Sequence, residues 1–208
     1  MITITHNIAL RNLVLAWLAV VLVVASLRAT AALEGSPDAA GLAYGRQWNA
    51  MMARSRSEEE ACVSALGHGC GLGALKPLID GLRGAVIMRQ LHEVNRAINR
   101  STYREDRRNW GLRDHWAAPR ELLDRGGDCE DFAIAKYLAL RELGFPAEDL
   151  HLLILYDTRR LRAHAVLAVL LGGRELVLDN LGGAILPLSD LPHYRVRYAL
   201  NESGVRRR

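Results

Sequence analysis

Gly126-Gly127-Asp128-Cys129-Glu130-Asp131-Phe132-Ala133-Ile134-Ala135-Lys136-Tyr137 places a single thiol among carboxylates where a glycine turn runs into a helix. Apolar residues recur at helical spacing from Phe132 to Leu143 (Phe132, Ala135, Leu138, Ala139, Leu143), and the glycine pair supplies the turn. Cys129 therefore falls in the first helical turn. Unpaired backbone N–H groups and the positive end of the helix dipole stabilise a thiolate there, and the same N–H groups can stabilise an oxyanion. The carboxylates oppose this. At ~7 Å and an effective dielectric near ~20, each ionised carboxylate disfavours the thiolate by roughly 2 kcal/mol. Either Cys129 is inert, or a cation neutralises Asp128, Glu130 and Asp131; a hard divalent ion with oxygen ligands, Ca2+ above all, suits such residues. A purely structural reading stands beside it: Asp128 as helix N-cap, Asp131 three residues on as its capping-box partner, and Glu130 favouring the dipole.

Working outward, residues 12 to 27 form an uncharged run rich in Leu, Val and Ala, between Arg11 and Arg28-Ala29-Thr30-Ala31-Ala32. That pattern predicts a signal peptide over residues 1–32, with an uncleaved anchor as the alternative, and a folded domain over 33–208 outside the cytoplasm. In an oxidising compartment Cys62 and Cys70 are near enough in sequence to pair, which leaves Cys129 as the odd thiol of three; two ordinary thiols are the other reading. The 208 residues, half of them apolar, suffice for one domain with a sizeable core. The net charge of +4 is scattered, without a basic motif interleaved with aromatics, which argues against nucleic acid; Arg206-Arg207-Arg208 reads as a frayed tail. No zinc-site spacing of Cys or His occurs.

The first half of the chain reads as helical and the second as strand-rich. Helices are predicted over 37–54, 57–66, 84–99 and, from Pro119, through Leu123; Gly144 and Pro146 end the Cys129 helix. Strands are predicted over 150–156, 162–171, 174–179 and 193–200. Gly172-Gly173 predicts a tight antiparallel hairpin, so helices gathered on one side of an antiparallel sheet make an α+β domain.

A cysteine nucleophile needs a base, and the base an orienting acceptor. Of seven histidines, His164 lies in Ala163-His164-Ala165-Val166-Leu167-Ala168-Val169, a strand apolar on both faces, where a buried imidazole requires a hydrogen-bond partner. His115, His151 and His193 fall at loops or strand ends. Asp179, across the hairpin, can serve as that partner or simply start the Asn180-Leu181-Gly182-Gly183 turn.

Trp110-Gly111, the Trp116–Pro119 segment, the block from Gly127 to Tyr137, Ala163–Leu167 and Leu178-Asp179-Asn180-Leu181, in this order, resemble the bacterial transglutaminase-like cysteine proteinases of the LapG type. The resemblance runs from Trp48 to Gly204. It implies a papain-like, transglutaminase-like α+β fold with N-terminal helices packed on an antiparallel sheet and the nucleophile at a helix N-terminus. It also implies export to the periplasm, a Cys-His-Asp triad on Cys129, His164 and Asp179, and Ca2+ held by Asp128 and Glu130, with Asp131 as a further ligand. Known members of the family cut a large surface adhesin near its N-terminus, at a di-alanine site, and thereby control biofilm attachment; an inner-membrane cyclic di-GMP receptor restrains them. Ala165, where a larger residue such as Met is usual, and the Cys62, Cys70 pair depart from the pattern. The function expected is a calcium-dependent periplasmic cysteine endopeptidase, with the Cys129 N–H as one oxyanion donor; the sequence does not name the second, for which the Trp110 region is a candidate. The rivals are a transglutaminase or other acyl transferase using the same triad, and a non-catalytic calcium-gated binding module.

Overall fold

A computed structural model describes residues 37–66 and 70–208. The expected signal peptide lies outside the described residues, among which no helix is long and apolar enough to cross a membrane. Among the described residues six α-helices precede a run of strands. They are α1 (Ala39–Leu66), α2 (Lys76–Leu82), α3 (Ile87–Ile98), a short α4 (Asp106–Asn109), α5 (Pro119–Arg125) and α6 (Cys129–Glu142). The strands are β1 (Leu150–Asp157), β2 (Arg162–Leu171), β3 (Arg174–Leu178), β4 (Ile185–Pro187), β5 (Tyr194–Asn201) and β6 (Gly204–Arg207). All pair antiparallel in one sheet of order β4-β3-β2-β1-β5-β6, the α+β arrangement expected.

Residues 37–54 and 57–66 form one helix rather than two. The polar run Ser55-Arg56-Ser57 interrupts the apolar pattern but contains neither Gly nor Pro, so nothing breaks the backbone between the buried Met51 and Cys62. In α3 the buried face is Leu91, Val94 and Ile98, while Val86, which precedes the helix, and Met88, in its first turn, remain exposed. At the β2–β3 hairpin Leu171 pairs with Arg174, and Gly172 and Gly173 have φ of +57° and +76°, the two positive values a type I′ turn needs.

Two strands escape the sequence pattern. β4 is three residues long and carries Pro187, which is tolerated because β4 is an edge strand. β6 replaces the frayed tail expected of the C-terminal arginines. Asn201 Oδ1 accepts the Ser203 N–H at 2.8 Å in a tight reversal, β6 then pairs along β5, and Arg208 grips Glu175 on a separate strand.

The main core lies between the sheet and the helices. α6 is its axis: Phe132 to Tyr137 are all buried, as expected of a helix packed on several sides, and it lies against β1, β2, α3 and α5. On the other face of the sheet Leu153, Leu155, Val166, Ala168, Val177 and Ala199 form a smaller cluster, covered by Leu188, Leu191 and Tyr194. His164 shares strand parity with Val166 and Ala168.

Cys62 and Cys70 are disulfide-bonded, tying the end of α1 to the stretch before α2, where Glu59 Oε2 also accepts the Cys70 N–H at 3.1 Å. Closing a loop this short removes unfolded-state entropy worth about 2 kcal/mol. Paired Cys62→Ser and Cys70→Ser substitution is therefore expected to lower the unfolding free energy by about that amount in urea titrations, and reductant is expected to reproduce the loss in the wild type.

Candidate active site

The turn before α6 is built by a second chain segment. Tyr103 bridges to Gly127 in parallel register; Arg104 N–H donates to Gly127 O at 2.8 Å, and Gly127 N–H to Thr102 O at 3.2 Å. The glycines are both needed. Gly126 has φ of +82°, and a Cβ there would sit 2.4 Å from Thr102 O; a Cβ on Gly127 would sit 2.2 Å from Asp131 Oδ2. That void admits the Asp131 carboxylate, which accepts Asp128 N–H on Oδ2 (3.0 Å) and Ala117 N–H on Oδ1 (2.6 Å). The Asp131 half of the expected capping box is thus made. Asp128 Oδ1, by contrast, is buried without a hydrogen-bond partner.

Cys129, half-buried and the one free cysteine among the described residues, opens α6. Its sulfur lies 3.3 Å from Glu130 Oε2, and Cys129 and His164 line one cavity with Tyr103, Asn180 and Leu181. His164 Nε2 lies 2.9 Å from Asp179 Oδ1. Burial works against the ionised Asp179 carboxyl, but His164, Tyr194 and the Leu181 N–H together hold it down at about 2, so it is the acceptor and Nε2 the donor. Nδ1 is then the ring nitrogen left to exchange a proton. Asp179 serves both roles foreseen for it: Oδ1 also accepts the Leu181 N–H (2.9 Å) and so starts the turn.

The surroundings of Asp179 add residues that sequence alone does not single out. Tyr194 on β5 donates its hydroxyl to Asp179 Oδ2 and sets its ring edge-on to His164, 5.9 Å between centroids. Asn99, at the end of α3, donates to Asp179 O (2.8 Å) and Gly182 O (3.1 Å). Both are ordinary-looking positions whose role depends on a partner about 80 or 15 residues away. Trp110 is not part of the cavity wall: its ring packs against His115 at 4.3 Å and under the Arg125 guanidinium at 4.2 Å. Its indole Nε1 is buried without a hydrogen-bond partner.

Behind the thiol, carboxylates converge from three segments. Oxygens of Asp106, Asp128 and Asp131 lie within 4.8 Å of one another, as do those of Asp106, Asp114 and Glu130; Asp128, Cys129 and Glu130 form a third such group. Asp106 and Asp114 are brought in by tertiary structure and carry no local sequence signal. Asp131 has each oxygen on a backbone N–H, whereas Asp106 Oδ1 and Asp128 Oδ1 are buried and unpartnered. Burial, then the charges of Asp128 and Asp114, push the Asp106 carboxyl up to about 6 against the pull of the His115 N–H. Burial and then Asp128 drive Glu130 well above the usual carboxylate range. The Cys129 thiol is likewise raised well above its ordinary value, by burial first and by Glu130 and Asp128 next. A convergent set of hard oxygen donors with two orphaned atoms fits Ca2+.

Lys136, fully buried on α6, donates to Leu178 O at 3.2 Å, next to Asp179. Burial pulls its ammonium down to about 7, the Asp179 charge opposing, against an ordinary 10.5. Between those two values the unfolded chain binds the proton more tightly, so stability rises with pH across the window and levels off above it. From pH 7 to about 9.5 the unfolding free energy is expected to rise by about 3 kcal/mol more in the wild type than in Lys136→Met, read from urea melts at the two pH values.

Comparison with known proteins gives two concordant findings. The model of the bacterial transglutaminase-like cysteine proteinases matches residues 81–204. Among solved structures, Legionella pneumophila LapG is 34% identical over 64% of this chain and 76% of its own, with a TM-score of 0.59. Its calcium-bound form is 30% identical over 76% and 86% of the two chains (TM-score 0.59), and its EGTA-treated form 34% identical over 65% and 74% (TM-score 0.60). No curated protein matches the chain.

Proposed function

Because the chain belongs to the bacterial transglutaminase-like cysteine proteinase family, we propose that it is a calcium-dependent cysteine endopeptidase whose triad is Cys129, His164 and Asp179. The observation that carries the reading is the buried His164–Asp179 pair opening on the cavity that Cys129 also lines. His164 Nδ1 takes the thiol proton as the sulfur bonds to the scissile carbonyl carbon. The oxyanion forms beside the Cys129 N–H at the start of α6, where the dipole favours negative charge. On collapse the C–N bond breaks and the amine leaves with the imidazolium proton. The same imidazole then deprotonates water, which attacks the thioester; the C–S bond breaks and the thiol is restored. Asp179 fixes the tautomer and offsets the imidazolium charge.

Asp128 and Glu130, with Asp106 and Asp114, would hold Ca2+; the calcium-bound and EGTA-treated forms of Legionella LapG support that assignment. The bound ion would supply positive charge beside the thiol and fix the loop before α6. Asp131 keeps its positioning role through the Asp128 and Ala117 N–H groups. In this reading residues 1–32 export the chain to the periplasm, the substrate is the N-terminal region of a large surface adhesin, and an inner-membrane cyclic di-GMP receptor is the inhibitor.

Cys129→Ala is expected to abolish peptide cleavage, by at least about 10³-fold in kcat/KM, with the fold intact; proteolysis that persists removes the mechanism. EGTA is expected to silence the wild type reversibly, and Asp128→Ala to mimic it, in the same assay with Ca2+ restored as control. Tyr194→Phe leaves Asp179 Oδ2 without its hydroxyl donor and is expected to lower kcat about tenfold with KM little changed, since Tyr194 is not part of the cavity wall. Steady-state kinetics on a cleaved peptide read both constants.

A further inference from the structure

The cavity that holds Cys129 and His164 has a wall the catalytic reading leaves unused. Arg160, from the turn joining β1 to β2, and Arg162, the first residue of β2, line it. That turn is pinned in place. Asp157, buried at the end of β1, accepts the N–H groups of Arg159 (2.9 Å) and Arg160 (3.2 Å) on one oxygen, and Thr158 bonds His193 O through both its N–H (2.9 Å) and its hydroxyl (3.1 Å). Leu161 takes a φ of +53° between the two arginines, a conformation a non-glycine residue adopts only where its surroundings impose it. Arg162 stands opposite Asp157 in the strand register and two residues before His164, so its position is tied to that of the imidazole. Its Nη2 lies 3.4 Å from the Tyr103 hydroxyl, across the cavity mouth.

Neither guanidinium has an ion-pair partner among the described residues, although Arg83, Arg96, Arg141 and Arg208 each grip a carboxylate. Two exposed cations without ion-pair partners are ordinarily a surface charge of little consequence. Here they share a concave wall with the thiol, on a turn held by four backbone and side-chain hydrogen bonds, so a bound peptide meets them without ordering the turn. Planar guanidinium groups suit a carboxylate, which they can grip in bidentate fashion.

We propose that Arg160 and Arg162 form a specificity subsite for an acidic side chain, Asp or Glu, of the peptide substrate close to the scissile bond. The inference rests on the endopeptidase reading and adds the class of substrate sequence that the site selects.

The test uses internally quenched peptides in which Glu, Gln or Lys is scanned through the positions flanking the scissile bond, with the protein saturated in Ca2+. At one position Glu is expected to exceed Gln in kcat/KM by about tenfold at low salt, with Lys below both and the preference shrinking as salt is raised. In the double variant Arg160→Gln, Arg162→Gln the Glu-to-Gln ratio falls to near one; in Arg160→Glu, Arg162→Glu the order inverts in favour of Lys. Binding of the same peptides to Cys129→Ala, by fluorescence anisotropy, with and without the arginine substitutions, reads the subsite independently of turnover. Indifference of the wild type to Glu against Gln at every position in both assays overturns the proposal, and so does a preference that survives the double substitution. If no peptide is cut yet Glu-dependent binding persists and vanishes with the arginines, the subsite stands and the endopeptidase reading falls.

Discussion

The Asp131 carboxylate, wedged into the space that Gly127 leaves, is the contact on which the site is assembled. One oxygen holds the Asp128 N–H and the other the Ala117 N–H, so a single buried group joins the start of α6 to the segment entering α5. Burying a carboxylate is unfavourable, and burial does push this one well above its usual range, with backbone hydrogen bonds and no cationic partner working against it. The side chain is tolerated because both its oxygens are satisfied. Substituting an apolar residue would strand two buried N–H donors, each worth about 1–3 kcal/mol when left unpaired. Cys129, one residue past Asp128, inherits its position from that arrangement.

The second half of the site is anchored by the sheet. β2 carries His164 to the cavity that Cys129, at the start of α6, also lines, and β3 ends where Asp179 can reach the ring. Asp179 is held from three directions, by the Asn99 amide on its carbonyl, the Leu181 N–H, and the Tyr194 hydroxyl. Lys136 adds a fourth link from below, bonding Leu178 O from the middle of the same helix that begins with Cys129. α6 therefore reaches from Cys129 to the strand end that carries Asp179, which ties its burial on several sides to the geometry of the candidate site.

Charge in this site is unevenly distributed. Carboxylates crowd the sulfur and raise the thiol, while Arg160 and Arg162, without ion-pair partners among the described residues, line the same cavity. In the proposed mechanism a bound cation neutralises the first group, and in the proposed subsite the second meets a substrate's own charge.

Much of this was open to reading along the chain because it is local. The glycine turn, the helix start, the capping carboxylate and the Gly172-Gly173 hairpin each depend on residues within about four positions, where backbone geometry and side-chain reach suffice. His164 and Asp179 stand out for a related reason: a polar group in an apolar strand must have a partner, and the hairpin limits where that partner is. Other features have no such signature. Asp106 and Asp114 join the acidic cluster only because Tyr103 pairs with Gly127; Tyr194 becomes a support of Asp179 only because its turn and β5 fold back over the sheet; the C-terminal arginines form a strand only because β5 offers an open edge. The amino-acid sequence by itself determined the family, the α+β class and the three residues to watch, since these follow from short-range patterns. Tertiary structure alone decided which oxygens converge behind the sulfur and which side chains brace the histidine's partner, because those contacts are made across long loops whose closure no local propensity encodes.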